Sequence, residues 1–509
     1  MTFIPAEKYQ SQIPALQMLV ALGYTPLSEA EALAARGGRL RNVTLDDVLA
    51  EQLLKINSFS HRGREYRFDL ADAHEATRRL KPTPDRLKGL KGTNQDIYDS
   101  LVLGTTITKT IDGDSKSYSF RYVDWLEPSN NVYHVTAEMS VERTGSSKTR
   151  RCDIVCFVNG IPFVVIENKK PTESLKMAES QLIGYQGEDN IPQLFHYAQI
   201  LMAMNRQDAK YATVGTPKKF WQGWKEEGGD ASAVAPLVAR GLSETERNRL
   251  ASAFESGSED AVAVSELSGL ANKPMGLAEK QAVFSGQFAS SKSYFDALTQ
   301  EGERAVTAQD EALHALCRPE RLLDLVRRFT LFDGGVRKIA RHQQYFGILA
   351  AMERVRQWQS LREARRGGVI WHTQGSGKSL TMVMLARALA LDPDITNPRI
   401  IIVTDRDDLD KQIKGTFKSC DMEPVRATSG AHLAELIRDR ASVITTIINK
   451  FDRALRYSDL VDTDSELFVL VDESHRTQTG RAGGFSSFAL KMRRMLPNAS
   501  YLGFTGTPL

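Results

Sequence analysis

Two rhythms of apolar residues run along this chain, and one gives way to the other at about residue 335. Up to about residue 215, short helical and extended patterns alternate. Ile13 to Gly23 is apolar at helical spacing and stops on a glycine, which predicts a helix. Asn131 to Ser140 is rich in β-formers, and Asp153 to Glu167 predicts a hairpin that turns at Asn159-Gly160. A helix is predicted over 174–185, and strands near 199–204 and 211–215. From 335 onward, continuous apolar runs at 368–371, 399–404, 442–446, 467–471 and 501–504 alternate with helical stretches. Strands that are apolar on both faces predict a parallel sheet covered on both sides.

Between the two patterns, residues 225–292 are rich in Ala, Ser, Gly and Glu, which fits either a helical insertion or a mobile linker. From Ala305 to Phe332 the pattern is helical again, with Leu313, Leu316, Leu322, Leu325 and Val326 recurring at helical spacing. The predicted division is a mixed α/β domain over 1–217, a helical linker or insertion over 218–332, and a parallel-sheet lobe over 333–509. A length of 509 residues agrees with that division at roughly 150 residues per domain.

Composition changes this picture little. With 41% hydrophobic and 25% charged residues the chain is an ordinary globular sequence. Its 66 basic and 63 acidic residues leave a net charge of +3, so nucleic-acid binding, if it occurs, depends on local patches. Cys152, Cys156, Cys317 and Cys420 are too scattered for a disulfide framework or a four-thiolate zinc site, and Cys152 and Cys156 read as buried small apolar residues. The N-terminus has no signal pattern and no apolar run approaches membrane-spanning length, which predicts a cytoplasmic protein with no membrane partner.

The lobe after 335 carries a nucleotide signature. Gly375-Ser376-Gly377-Lys378-Ser379 follows a strand and opens a helix, the setting in which backbone amides and a helix N-terminus cradle phosphates. Lys378 would bridge the β- and γ-phosphates of ATP, and the Ser379 hydroxyl would ligate Mg²⁺. The full pattern places a first glycine where this chain has His372. Downstream, Asp472-Glu473-Ser474-His475 ends an apolar strand. Asp472 suits Mg²⁺ binding, Glu473 suits activation of the attacking water, and His475 and Thr505-Gly-Thr-Pro508 suit γ-phosphate sensing. These residues resemble the first RecA-like lobe of superfamily 2 helicases and translocases. Arg341-His-Gln-Gln344 resembles their adenine-reading glutamine motif, with Gln344 favoured over Gln343. That resemblance implies a second lobe to complete the ATP site, and 333–509 covers only the first.

The earlier domain carries a different signature. Asp153, Glu167 and Lys169 follow the PD-(D/E)xK nuclease pattern, in which two carboxylates hold Mg²⁺ and a lysine orients water for in-line attack. Glu167 and Lys169 share a strand face by its period of two. Asp153 joins that face only if the hairpin loop has odd length. A plain two-residue turn would set Asp153 opposite Ile166, so the expectation is a three-residue Val158-Asn-Gly160 loop with a bulge at Gly160. Gln181 and Tyr185, one turn apart on the next helix, match the QxxxY element that flanks some sites of this fold. Arg143, Lys148, Arg150 and Arg151 cluster before Asp153 and suit phosphate contacts, or else form a solvated basic loop. No further acidic ligand is assigned; Glu7 is one candidate.

Taken together, the two signatures resemble the R (restriction, motor) subunit of type I restriction endonucleases. Asn159-Gly-Ile-Pro-Phe-Val-Val-Ile-Glu-Asn-Lys169, Phe220-Trp-Gln-Gly-Trp224, Arg341-His-Gln-Gln-Tyr-Phe346 and Thr373-Gln-Gly-Ser-Gly-Lys378 carry the resemblance. It implies cleavage of duplex DNA after ATP-driven translocation, in a complex with modification (M) and specificity (S) subunits. It also implies a fragment, without the second motor lobe, that binds ATP weakly and does not translocate. Two other readings stay open: a superfamily 2 helicase or remodeller whose first domain only binds DNA, and a catalytically silent remnant.

Overall fold

The computed structural model describes residues 11–83, 88–226, 231–240, 242–252, 305–360, 363–373, 377–404, 424–447, 450–451, 453–454, 461–472 and 492–506. Glu7, Gly375, Ser376, Cys420, Glu473, Ser474, His475, Thr507 and Pro508 lie outside these residues, as does most of the 225–292 stretch. The chain divides into two compact units: Met1–Arg327 with Gly335–Arg337, and Arg328–Gly334 with Lys338–Leu509.

The first unit is built on a mixed six-stranded sheet. Its strands lie in the order β1 (Thr25–Leu27), β2 (Tyr133–Glu142), β3 (Thr149–Val158), β4 (Ile161–Asn168), β5 (Ile200–Met204) and β6 (Ala209–Ala212). Pairings β1/β2 and β4/β5 are parallel, while β2/β3, β3/β4 and β5/β6 are antiparallel. All eight residues of β4 are buried, so this strand is covered on both faces. Helix α1 (Ile13–Ala21) packs on β2 and on α3 (Ala308–Cys317), whereas α2 (Lys176–Tyr185) packs on β4 and β5. Pro319 opens a further helix, Pro319–Arg327, and the helical pattern expected to reach Phe332 ends there: Thr330–Asp333 is extended. Helices are also present at Ala231–Arg240 and Glu244–Ser252. Cys152, Cys156 and Cys317 are buried free thiols, and burial pushes their ionisation far up, as small apolar residues require.

The β3–β4 hairpin departs from expectation in an instructive way. Asn159 (φ 51°) and Gly160 (φ 80°) form a two-residue turn with both residues left-handed, the geometry that matches strand twist. The turn is buried rather than solvated. Asn159 donates to the Tyr122 carbonyl at 3.0 Å and accepts from the Val132 amide at 2.9 Å, while the Gly160 carbonyl accepts from the Leu45 amide at 2.8 Å. A Cβ at Gly160 would stand 2.6 Å from the Leu45 carbonyl oxygen, so only glycine fits. The bulge lies further in: Phe157 pairs with Pro162 but Cys156 pairs with Val164, which leaves Phe163 as the extra residue. Proline has no N–H to give the ladder, and the irregularity falls beside it.

The second unit contains an entirely parallel sheet. Its strands run β7 (Gly368–Trp371), β12 (Ser500–Thr505), β11 (Leu467–Val471), β8 (Arg399–Thr404), β10 (Val443–Ile447) and β9 (Pro424–Arg426) across the sheet. Five of these match the apolar runs in the sequence. The sixth, Pro424–Arg426, is a three-residue edge strand with no apolar run to announce it. Every residue of β8 and β11 is buried, in keeping with a central position and cover on both faces. Helix α4 (His342–Arg356) packs on α5 (Lys378–Ala390). Among the described residues, no helix is long and apolar enough to cross a membrane.

Candidate active site and nucleotide site

With the bulge at Phe163, Ile154 pairs with Ile166, and the same register brings Asp153 opposite Glu167 on one face of the sheet. Lys169 joins them, its Nζ 4.0 Å from Asp153 Oδ2 and 3.9 Å from Glu167 Oε2. The Asp153 carboxylate also accepts the Asn168 amide at 2.8 Å, and Lys169 Nζ donates to the Asn168 carbonyl at 2.7 Å. The bulge therefore does what the expected loop would have done, from a different place.

Glu167 is the unusual member of the set. Its side chain is fully buried, yet neither carboxyl oxygen has a hydrogen-bond partner. Burial raises its ionisation well above the ordinary glutamate range. The neighbouring Asp153 charge raises it further, and Lys169 offsets part of the shift. A buried carboxyl without hydrogen bonds, beside a second carboxylate, is the donor set that suits a hard divalent cation such as Mg²⁺, since coordination to the cation would take the place of the missing hydrogen bonds. The protein provides two such carboxylates here; among the described residues no cluster of three or more His, Cys, Asp or Glu side chains is placed around a single ion.

The strand's period of two sends Asn168 to the opposite face from Glu167. There its side-chain amide donates to Ser11 Oγ at 2.8 Å and to Gln309 Oε1 at 3.1 Å, and Gln309 Nε2 donates to the Ser11 carbonyl at 2.9 Å. All three side chains are buried. The next residue, Gln12, donates to the Asp153 carbonyl at 2.9 Å. Ser11, Gln12 and Gln309 thus hold the backbone on either side of the carboxylate pair, and none carries a sequence signal: Ser11 and Gln12 are polar residues just before α1, and Gln309 is a polar residue in the first turn of α3.

On α2, Gln181 donates to the Tyr185 hydroxyl at 2.7 Å, and that hydroxyl donates to the Arg151 carbonyl at 3.1 Å. Burial, then the Glu167 charge, raises Tyr185 ionisation beyond its ordinary value. The pair therefore ties α2 to the strand that carries Asp153. The basic cluster does not act as one patch. Arg143 pairs with Asp189 at 3.0 Å and Arg150 donates to Asn190 at 3.1 Å, while Arg151, two residues from Asp153, lies on the Asp153 face; Lys148 is exposed.

In the second unit, Gly377 (φ 94°) stands at the start of α5 in the left-handed region. A Cβ there would stand 2.8 Å from Gln344 Nε2. Gln344 is buried and donates to the Gly377 carbonyl at 3.3 Å and to Thr381 Oγ1 at 3.1 Å, while Gln343 is exposed. His372, in the place of the expected glycine, shares a 2.9 Å hydrogen bond with Thr381 Oγ1, and its amide donates to the Thr505 carbonyl at 2.8 Å. Burial lowers His372 ionisation, which keeps the ring neutral beside Lys378. Lys378 Nζ lies 2.9 Å from Asp472 Oδ1, so the loop lysine and the strand-end aspartate meet at the sheet's carboxyl edge. Ser379 follows Lys378, half-buried in the first turn of α5.

Residues 4–220 match the family model described as type I restriction enzyme R protein N terminus, and residues 343–509 match that of the SWI2/SNF2 ATPase. The type I restriction enzyme HindI endonuclease subunit of Haemophilus influenzae is 29% identical over 88% of this chain and 40% of its own length. The SsaAORF53P endonuclease subunit of Staphylococcus saprophyticus is 23% identical over 78% of this chain and 34% of its own length. The chain thus spans two fifths or less of these relatives. A solved SWI2/SNF2 ATPase core from Sulfolobus solfataricus, in complex with dsDNA, aligns over 36% of this chain and 34% of its own at 14% identity and a TM-score of 0.24, too slight a likeness to argue from. On its two matched regions, the chain is a homologue of the endonuclease (R) subunits of type I restriction enzymes, with their R protein N terminus at 4–220 and a SWI2/SNF2-type ATPase region at 343–509.

Proposed function

We propose that this chain is the cutting and ATP-binding part of a type I restriction endonuclease, cleaving duplex DNA with Mg²⁺ and coupling that cleavage to ATP-driven translocation in a complex with modification and specificity subunits. The nuclease-like domain spans 1–217, a helical linker or insertion 218–332, and the first RecA-like lobe 333–509. The observation that carries this reading is the buried Glu167 carboxyl, without hydrogen bonds, beside Asp153 and Lys169.

Asp153 and Glu167 would hold Mg²⁺, which when bound supplies Lewis-acid polarisation of the scissile phosphate and a more acidic water. Lys169, tethered to the Asn168 carbonyl and the two carboxylates, orients the attacking water and offsets charge building on the phosphorane oxygens. Arg151 supplies phosphate contacts from the Asp153 side and Lys148 from the exposed loop before it, and Arg143 and Arg150 brace the surrounding loop. Lys378, with Gly375, Ser376 and Gly377, takes the ATP phosphates, and the Ser379 hydroxyl would ligate the nucleotide's Mg²⁺. Gln344 braces the phosphate loop, and Asp472 would hold the nucleotide's Mg²⁺. Glu473 acts on the attacking water and His475 links the γ-phosphate to the lobe, by motif.

A plasmid-cleavage assay in Mg²⁺, with and without ATP, tests this. Asp153→Ala and Lys169→Ala should abolish cleavage, while Lys378→Ala should remove only the ATP-dependent part. Cleavage undiminished in Lys169→Ala would overturn the nuclease reading in favour of a helicase whose first domain only binds DNA.

A further inference from the structure

Glu138 lies in the middle of β2 with φ 56°. Of the described non-glycine residues with positive φ, it alone sits inside a strand; Arg62, Asp112, Asn159, Glu363, Asn397 and Arg440 lie in turns and bends. Left-handed backbone is uncommon for a glutamate and persists only where its surroundings enforce it. The β2/β3 ladder pairs Ala137 with Ile154 and Met139 with Cys152, and it is interrupted between them, where Glu138 faces Asp153. The Asp153 carbonyl accepts instead from Gln12 Nε2 at 2.9 Å. The same Nε2 donates to Glu138 Oε1 at 3.2 Å, and Glu138 Oε2 receives Arg151 Nε at 2.7 Å.

Three acidic residues therefore stand abreast on three neighbouring strands: Glu138, Asp153 and Glu167. Glu167 is the buried one without hydrogen bonds, and with Asp153 it makes the candidate ligand pair. Glu138 is different: its carboxylate is engaged by the one arginine of the basic cluster on the Asp153 face. That arginine is two-thirds exposed (66%), so an incoming anion can reach it. A carboxylate and a phosphate oxygen offer a guanidinium the same acceptor geometry.

We propose that Glu138 is a positioning residue that stands in for a DNA phosphate on Arg151, holding the guanidinium beside the carboxylate pair until the backbone phosphate displaces it. This rests on the nuclease reading above. The left-handed backbone turns the Glu138 carboxylate toward Arg151 and Gln12. The ion pair is open on its arginine side and half-buried on its glutamate side, so solvent screens it in part and a phosphate can approach Arg151.

Anisotropy of a labelled duplex in metal-free buffer tests this with residues 1–509. Glu138→Gln keeps the shape and removes the competing charge, and it should tighten binding by about two- to five-fold, the range an exposed ion pair spans. Arg151→Ala should weaken binding and reduce the salt slope by about one. The double variant should bind as Arg151→Ala does. Glu138→Asp, which tolerates the left-handed backbone but withdraws the carboxylate, should fall between wild type and Glu138→Gln. In the cleavage assay Glu138→Gln should lower KM. Binding unaltered in Glu138→Gln, or a gain that persists when Arg151 is absent, would overturn the proposal; the second outcome would mark a bulk charge effect. Because binding is read without metal or turnover, failure of the nuclease reading shows separately, as cleavage undiminished in Lys169→Ala.

Discussion

Asn168 donates its side-chain amide to Gln309 Oε1 at 3.1 Å, across 141 residues of sequence, from the position between Glu167 and Lys169. The backbone of Asn168 meanwhile faces the candidate active site, its amide on Asp153 and its carbonyl under Lys169. One residue thus couples the carboxylate face of the strand to a buried polar network on the opposite face.

Gln309→Leu should therefore do more than loosen a helix. It leaves one of the two Asn168 side-chain N–H groups and the Ser11 carbonyl without these partners in a buried site, which costs about 1–3 kcal/mol of stability. Thermal unfolding will read that loss, and Mg²⁺-dependent cleavage should fall with it because the Asn168 backbone is no longer held. Cleavage at the wild-type rate in a protein so destabilised would show that the network only supports the fold.

Glu167 gives the metal-free protein a defined pH dependence. Its ionisation lies above the 4.5 of an exposed glutamate, so the folded state holds the proton more tightly than the unfolded one. The resulting stability is fully present below 4.5 and is lost as pH rises through the raised folded value. Melting in EDTA should show the thermal midpoint falling over that interval, and Glu167→Gln should flatten the trend. Added Mg²⁺ should restore the midpoint more as pH rises, because it competes with the proton for the same oxygens. A midpoint insensitive to Mg²⁺ at every pH would argue against metal binding by this pair.

Tyr185→Phe removes a hydroxyl that accepts from Gln181 and donates to the Arg151 carbonyl. The stability change should be small, about 0.5–1.5 kcal/mol, as for a single hydrogen bond. Cleavage should drop by about tenfold, the rate that a misplacement worth roughly 1.4 kcal/mol in the transition state removes. Paired kinetics and melts of the variant will separate the two effects.

Lys378→Ala should weaken binding of a fluorescent ATP analogue by about tenfold or more, the loss of one charge-assisted phosphate contact. The same change also removes the ion pair to the buried Asp472. Gln344→Ala should weaken nucleotide binding less, through the loosened Gly377 carbonyl. Equal affinity in wild type and Lys378→Ala would remove this loop as the nucleotide site.

The sequence by itself determined the parallel-sheet lobe, because strands covered on both faces must be apolar throughout, and β8, β10, β11 and β12 each follow such a run, as does the edge strand β7 although it leaves Val369 and Trp371 exposed. It also showed that a regular hairpin on a two-residue turn would separate Asp153 from Glu167, since the side-chain period of a strand is two, although the odd-length loop expected to reunite them is not what forms. Where that break falls was decided by the fold. The burial of Asn159-Gly160 against Leu45, Tyr122 and Val132 fixes a two-residue turn, and the extra residue moves inward to Phe163, beside a proline that cannot pair. Gln309 reaching Asn168, Gln12 on the Asp153 carbonyl, the left-handed Glu138 and the separation of Arg151 from Arg150 belong to the tertiary structure alone. A period can be read within a dozen residues. A hydrogen bond between side chains more than a hundred residues apart leaves no local pattern, because only chain packing brings its partners together.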